Sequence, residues 1–386
     1  MTPSQMRRYD LDWLRVLLFG TLVPFHALLG FVDEGTILYG YRNQDIAGIG
    51  AERMLLLLEL WHMPSLFLIS GVATFFIMQN QGVIAFPGNR LARIFVPLVI
   101  GIVFWNTVIA YYQASIAFSV PSFPLFWWNR LPTVSFYQAD HLWFLVNLLC
   151  YSILSIPLFQ WMQQNRTSIF VKWFPIFALL AILATAILVK PQGTVFNGYI
   201  TWQTVTYVFY YALGFWLLVA PPTVWGRLHS VRYVLLCVGT LLAILLGALL
   251  PSAQITEDGF NLMTGGYWTV LNVPRFNAPH MAFAVVYAIA TLVWCAILLG
   301  FAYRHLSHPH RWLAPLNRAV YPLYIFHMVF IFVGLFYLRF VSWPWFPEFL
   351  ILTLGTYALS ACLYLLFDSI KPLRLLVGLS QPKRPK

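Results

Sequence analysis

Apolar residues gather along this chain in long runs, each closed by a polar, Pro or Gly cluster. Ten such runs lie near residues 12–32, 53–78, 91–112, 141–161, 172–190, 200–219, 233–251, 280–302, 317–338 and 348–367. About 20 mostly apolar residues cross a bilayer. Backbone groups in lipid must be satisfied within their own segment, so each run is expected to be a helix. Period-two alternation is absent, which argues against a closed barrel. The expected fold is therefore all-α, a polytopic membrane helical bundle of about ten transmembrane helices, with residues 1–386 as a single domain. The first run is too long for the core of a signal peptide and no small-residue cleavage site follows it, so it is expected to remain as a span.

Composition agrees with the pattern. Hydrophobic residues make up 60% of the 386-residue chain and charged residues 9%, against roughly 45–50% and 25% in soluble domains. Four cysteines, Cys150, Cys237, Cys295 and Cys362, fall inside apolar runs without metal-ligand spacing and read as small buried hydrophobes. The net charge of +11 comes from basic residues scattered singly, not from the clustered stripe that a nucleic-acid partner needs. Topology explains them better. With the amino terminus in the cytoplasm, only Arg42, Arg53, Arg130, Lys190, Arg275 and Arg339 of the 23 Lys and Arg fall outside, as the positive-inside bias requires. Both termini are then cytoplasmic. The long outer segments near 113–140 and 252–279 carry Trp127, Trp128, Trp268, Asn272 and Asn277, which suit either an external ligand or anchoring at the interface. No internal repeat is visible, which removes one signature of an inverted-repeat transporter.

Ionisable side chains inside a span are functional candidates. In the first run, eleven residues at 100° each bring His26 within about 20° of Arg15 and about 16 Å along the axis. Asp12 is placed to pair with Arg15, which otherwise reads as a snorkelling anchor. His26 otherwise reads as a core histidine bonded to a carbonyl freed by Pro24. Glu59 and His62 share a face of the second run, with His62 near the depth of His26. Glu59 could hold an imidazole in its tautomer or act as glue between spans. Arg90 and Arg93 open the third run one turn apart, a spacing that suits a phosphate or pyrophosphate as well as plain anchoring. Tyr324 and His327 share a face near mid-membrane. The run from Arg304 to Arg311 holds three histidines but reads as a solvated basic loop, so no metal is expected.

Five segments in register also carry a resemblance. They are Arg8-Tyr9-Asp10-Leu11-Asp12-Trp13-Leu14-Arg15 with His26, His62-Met63-Pro64-Ser65-Leu66-Phe67-Leu68-Ile69-Ser70-Gly71, Arg90-Leu91-Ala92-Arg93, His141-Leu142-Trp143-Phe144-Leu145, and Tyr321-Pro322-Leu323-Tyr324-Ile325-Phe326-His327. Together they resemble the acyltransferase-3 family of bacterial integral-membrane acyltransferases, including its glucan-succinylating branch. One departure is that no Glu pair follows Trp143, unlike many O-acetylating members. No esterase-like domain is expected after the last span.

The resemblance implies transfer of an acetyl or succinyl group from cytoplasmic acyl-CoA to a hydroxyl of a periplasmic or cell-surface carbohydrate, in the bacterial inner membrane. Arg90 and Arg93 would hold the CoA phosphates, and the stripe from Arg15 to His26 would mark the path of the thioester arm. His26 would be the general base or carry the acyl group, oriented by Glu59 or His62 and assisted by Ser70. His141, Tyr324 and His327 are further candidates. The rival reading is a proton-coupled exporter in which the same histidines and Glu59 relay protons.

Overall fold

The computed structural model describes residues 7–32, 39–41, 43, 45–134, 139–189, 194–195, 200–254 and 277–379. Helices dominate them: α1 (Tyr9–Leu29), α2 (Ile49–Arg90), α3 (Val96–Ile100), α4 (Asn106–Ala117), α5 (Phe123–Arg130), α6 (Trp143–Leu154), α7 (Ile156–Gln164), α8 (Ile169–Ala184), α9 (Trp202–Val219), α10 (Thr223–Gln254), α11 (Ala278–His305), α12 (Leu313–Leu338), α13 (Trp345–Ser369) and α14 (Leu373–Leu376). Among the described residues there is also one antiparallel pair of two-residue strands, Thr194–Val195 with Ile200–Thr201. Among the described residues, each of the ten apolar runs falls mostly on helix. The bundle is all-α.

Seven helical stretches are long and apolar enough to cross a membrane, or eight when the bent pair α6 and α7 is taken as one. One of the seven, Gly50–Ile116, has 67 residues, enough for two crossings at 1.5 Å per residue. It turns at Gly82, whose φ of 74° is a left-handed conformation that glycine adopts without a Cβ penalty. Burial sorts the rods into centre and rim. The most apolar window of α12 is 61% buried, against 17% for α10 and 22% for α13. Those rim helices turn Leu241, Ile244, Leu354 and Leu365 outward, a surface for lipid. Cys150, Cys237 and Cys362 are exposed and only Cys295 is buried, because an apolar run does not say which of its faces meets a neighbouring helix.

Prolines break the regularity in informative places. Pro24 lies inside α1 and cannot bond back to the Gly20 carbonyl, which instead accepts from the Tyr357 hydroxyl of α13. Leu91–Phe95 winds as a π-turn just before Pro97, whose missing N–H leaves the Arg93 carbonyl free. Gly378 closes on that carbonyl, with φ of 68° and space that would put a Cβ 3.0 Å from Arg93 O. A second π-turn, Gly101–Trp105, is pinned from α5 by Trp127 Nε1–H donating to Val103 O at 3.2 Å, which makes Trp127 an anchor of its own segment. Trp268 and Asn272 lie outside the described residues. Asn277 caps α11 by accepting from the His280 N–H at 2.9 Å.

α2 and α9 touch through their backbones, since a Cβ on Gly71 would meet the Tyr211 carbonyl and one on Gly214 the Leu68 carbonyl. Small residues permit such close approach of helices in lipid. The apolar core falls into two clusters, one holding Leu11 to Leu22 of α1, Met63 to Met78 of α2 and Val320 to Phe326 of α12. The other holds Phe25 to Leu29 of α1, Leu55 to Leu60 of α2 and Met328 to Leu338 of α12. Three histidines mark the seam. His62 falls between Leu60 and Met63 and His327 between Phe326 and Met328, while His26 follows Phe25, where α1 passes from one cluster to the other.

Candidate active site

At the end of the bundle where α1 begins, a cavity of about 230 Å³ is lined by Arg15, Arg90, Arg93, Arg318, Ser70 and Tyr321, among others. Arg90 is only 9% exposed. Its Nη2 donates to Thr74 Oγ1 at 2.5 Å, its guanidinium lies 5.1 Å from the centre of the Phe86 ring, and its Nε has no hydrogen-bond partner. Thr74 shares a further hydrogen bond of 2.7 Å with Tyr211 Oη. Arg93 is exposed at the mouth. Carboxylates near the cavity are already engaged. Asp12 pairs with Arg7 at 2.7 Å and accepts from Asn317 at 2.9 Å, so the expected Asp12–Arg15 pair does not form. The Asp12 oxygens are instead taken by Arg7 just ahead of α1 and by Asn317 of α12. Asp368 holds Arg318 at 2.5 Å and Arg374 at 3.2 Å. Four guanidinium groups therefore face one small space, an arrangement that suits a polyanion such as a nucleotide phosphate.

Arg318 was no candidate from the sequence because an arginine before a span reads as a topology anchor, and Tyr321 stood in a motif segment without a role. The Tyr321-Pro322 segment was a usable signal. Ser70 lines this cavity with its hydroxyl donating to Leu66 O at 2.8 Å within its own helix.

Deeper in the bundle, three imidazoles gather. His26 and His327 have ring centroids 5.2 Å apart, and His141 and His327 5.3 Å apart. His327 is fully buried, its Nδ1–H donating to Tyr324 O at 2.7 Å. The chain enters α6 through Asp140 at φ 44°, a strained conformation for a residue with a side chain and one that concentrates at functional sites. Immediately afterwards His141 Nε2–H donates to Ile325 O at 3.2 Å, while the Tyr324 hydroxyl donates back to the His141 carbonyl. His26 Nδ1 meets the hydroxyl of Tyr39 at 3.1 Å, so it is not the carbonyl-bonded core histidine that Pro24 suggested. Tyr39 itself stacks edge-on against Phe332 at 4.9 Å. The short segment that carries it is fastened by Glu348, which is fully buried and accepts from Tyr41 and Asn43, each at 2.6 Å.

His62 stands apart from this group, donating from Nε2 to Leu18 O at 2.8 Å with the Phe25 ring beside both it and His26. Glu59 is buried, and its electrostatic neighbour is Tyr207 of α9. No described hydrogen bond joins it to His26 or His62 among the described residues. Shared depth along two helices is thus not a hydrogen bond, and His62 spends its Nε2–H on the Leu18 carbonyl of α1. Among the described residues no three His, Cys, Asp or Glu are gathered so as to hold a metal ion.

Between cavity and imidazoles stand three aromatic rings in mutual edge contact: Phe19–Tyr324 at 5.7 Å, Phe144–Tyr324 at 5.7 Å and Phe19–Phe144 at 6.1 Å. Phe19 and Phe144 line the arginine cavity. Tyr324 lies 5.9 Å from both His141 and His327. A basic chamber and a group of imidazoles are therefore separated by the thickness of one aromatic layer.

The model of the acyltransferase-3 family, described as an acyltransferase domain, matches residues 8–365, nearly the whole chain. No curated protein and no solved structure matches the chain.

Proposed function

The chain belongs to the acyltransferase-3 family, a membrane acyltransferase by descent, and from that premise we propose that it carries an acetyl or succinyl group from cytoplasmic acyl-CoA to a hydroxyl of a carbohydrate on the far side of the bacterial inner membrane. The observation that carries this reading is the pairing of a four-arginine cavity with an imidazole group one ring layer away. Arg90, Arg93, Arg15 and Arg318 would hold the phosphates of CoA by charge-assisted bonds. The thioester arm would run along α1 from Arg15 past Phe19 toward His26, a rise of about 16 Å over eleven residues. His26, half-buried with Nδ1 on Tyr39, acts as general base on the acceptor hydroxyl or carries the acyl group as an acyl-imidazole. The carbohydrate acceptor is supported by the motif resemblance alone.

The test is incubation of the purified protein with acetyl-CoA and succinyl-CoA, with and without glucose oligosaccharides, while thiol release is followed. Acceptor-dependent release is expected. Export of a glycan from vesicles with no thioester cleavage would replace this reading by the proton-relay one.

A further inference from the structure

A main-chain carbonyl only accepts hydrogen bonds, so an imidazole bonded to one must present N–H there and leave its other nitrogen with a bare lone pair. His327 spends Nδ1–H on Tyr324 O, at 2.7 Å, and its Nε2 is buried with no hydrogen-bond partner. His141 is the mirror case, spending Nε2–H on Ile325 O at 3.2 Å and leaving Nδ1 buried and without a partner. Two buried acceptors without donors in rings 5.3 Å apart are costly to keep. A hydroxyl is the kind of group that satisfies such a nitrogen, and the reaction proposed above has one to offer.

We propose that Nε2 of His327 is the base that takes the proton of the acceptor hydroxyl, which leaves His26 as the acyl carrier. This rests on the acyl-transfer reading and divides the two roles that the reading assigns to His26 alone. In the first half, Nε2 of His26, with Nδ1–H donating to Tyr39 Oη, attacks the thioester carbonyl. The N–C bond forms, the C–S bond breaks and sulfur leaves with the electron pair as thiolate. In the second half, the acceptor O–H breaks with its proton passing to Nε2 of His327. The oxygen bonds the acyl carbon, the C–N bond breaks and its electron pair returns to His26. The proton on His327 then goes to the thiolate, so CoA departs as the thiol and both imidazoles regain their starting forms.

Two substitutions separate this role from a structural one. The amide nitrogen of His327→Asn reaches the place of Nδ1, so the bond to the Tyr324 carbonyl is kept while Nε2 is lost. His327→Gln puts an amide near Nε2, which can bond but is no base. Acetyl-CoA and succinyl-CoA binding, measured by calorimetry, should match the parent in both variants. Turnover with glucose oligosaccharides should fall about 10²- to 10⁴-fold, and a rapid release of about one equivalent of thiol per protein should remain, with the intact mass raised by one acyl group. Full turnover in either folded, donor-binding variant overturns the proposal, as does disappearance of the burst together with turnover. A parent protein that releases no thiol from either acyl-CoA instead removes the acyl-transfer reading itself.

Discussion

Arg90 shows how a residue's surroundings separate binding from anchoring. A guanidinium that serves only to mark the cytoplasmic side belongs in water, yet this one is buried against Thr74 and Phe86 with Nε unbonded. A charge-assisted contact to phosphate is worth roughly 1.5–3 kcal/mol, so Arg90→Ala should weaken acyl-CoA binding about 10- to 100-fold in calorimetry. Arg318→Ala should cost less, because Asp368 already shares that charge with Arg374. Unchanged affinity in the Arg90→Ala, Arg93→Ala double variant would reduce the pair to anchors. For His26→Ala, transfer should fall by about 10²-fold or more with donor binding intact, since the arginine chamber lies on the far side of the ring layer. Near-normal transfer would move the catalytic role elsewhere. The stripe that relates Arg15 to His26 was legible because helical periodicity is local. Tyr39 on His26 and the His141–His327 contact were not, for each joins residues distant in sequence.

Among elements, the sequence located the helices well and their interruptions poorly. Hydropathy reports which residues suit lipid, and α10 accordingly begins at Thr223, ten residues before its apolar run, carrying Arg227, His229 and Arg232 on the turns that precede it. The turn at Gly82, the 51° bend between α6 and α7 and the π-turn before Pro97 all fall within or beside apolar stretches whose hydropathy does not record them. One close contact gives a sharp prediction. Gly71→Ala would drive a methyl into the Tyr211 carbonyl, and overpacking of this kind costs typically about 1–3 kcal/mol. The variant should melt lower in detergent. Because Tyr211 supports Thr74, and Thr74 supports Arg90, it should also bind acyl-CoA more weakly; parental affinity at a lowered melting temperature would show that α9 supports the fold without supporting the site.

The whole molecule is read with its arginine chamber toward the cytoplasm, on the bias of Lys and Arg between alternate connections. A reporter fused after Lys386 should therefore report the cytoplasm, and an external signal would invert the molecule and the direction of transfer with it. The opposite end has its own fastening. Glu348 gathers Tyr41 and Asn43 and so holds the segment that presents Tyr39; Glu348→Gln should slow transfer while leaving acyl-CoA affinity untouched, and an equal loss of both would mean general unfolding. The layer of Phe19, Phe144 and Tyr324 has a consequence beyond the reaction. On the proposed reading one substrate enters from each side of an energised membrane, so the protein must not become a conduit, and the rings of Phe19, Phe144 and Tyr324 stand between the arginine cavity and the imidazoles. Those rings then act as electrical insulation. Vesicles carrying Phe144→Ala should lose an imposed proton gradient faster than vesicles with the parent protein, and equal rates of loss would show that the rings insulate nothing.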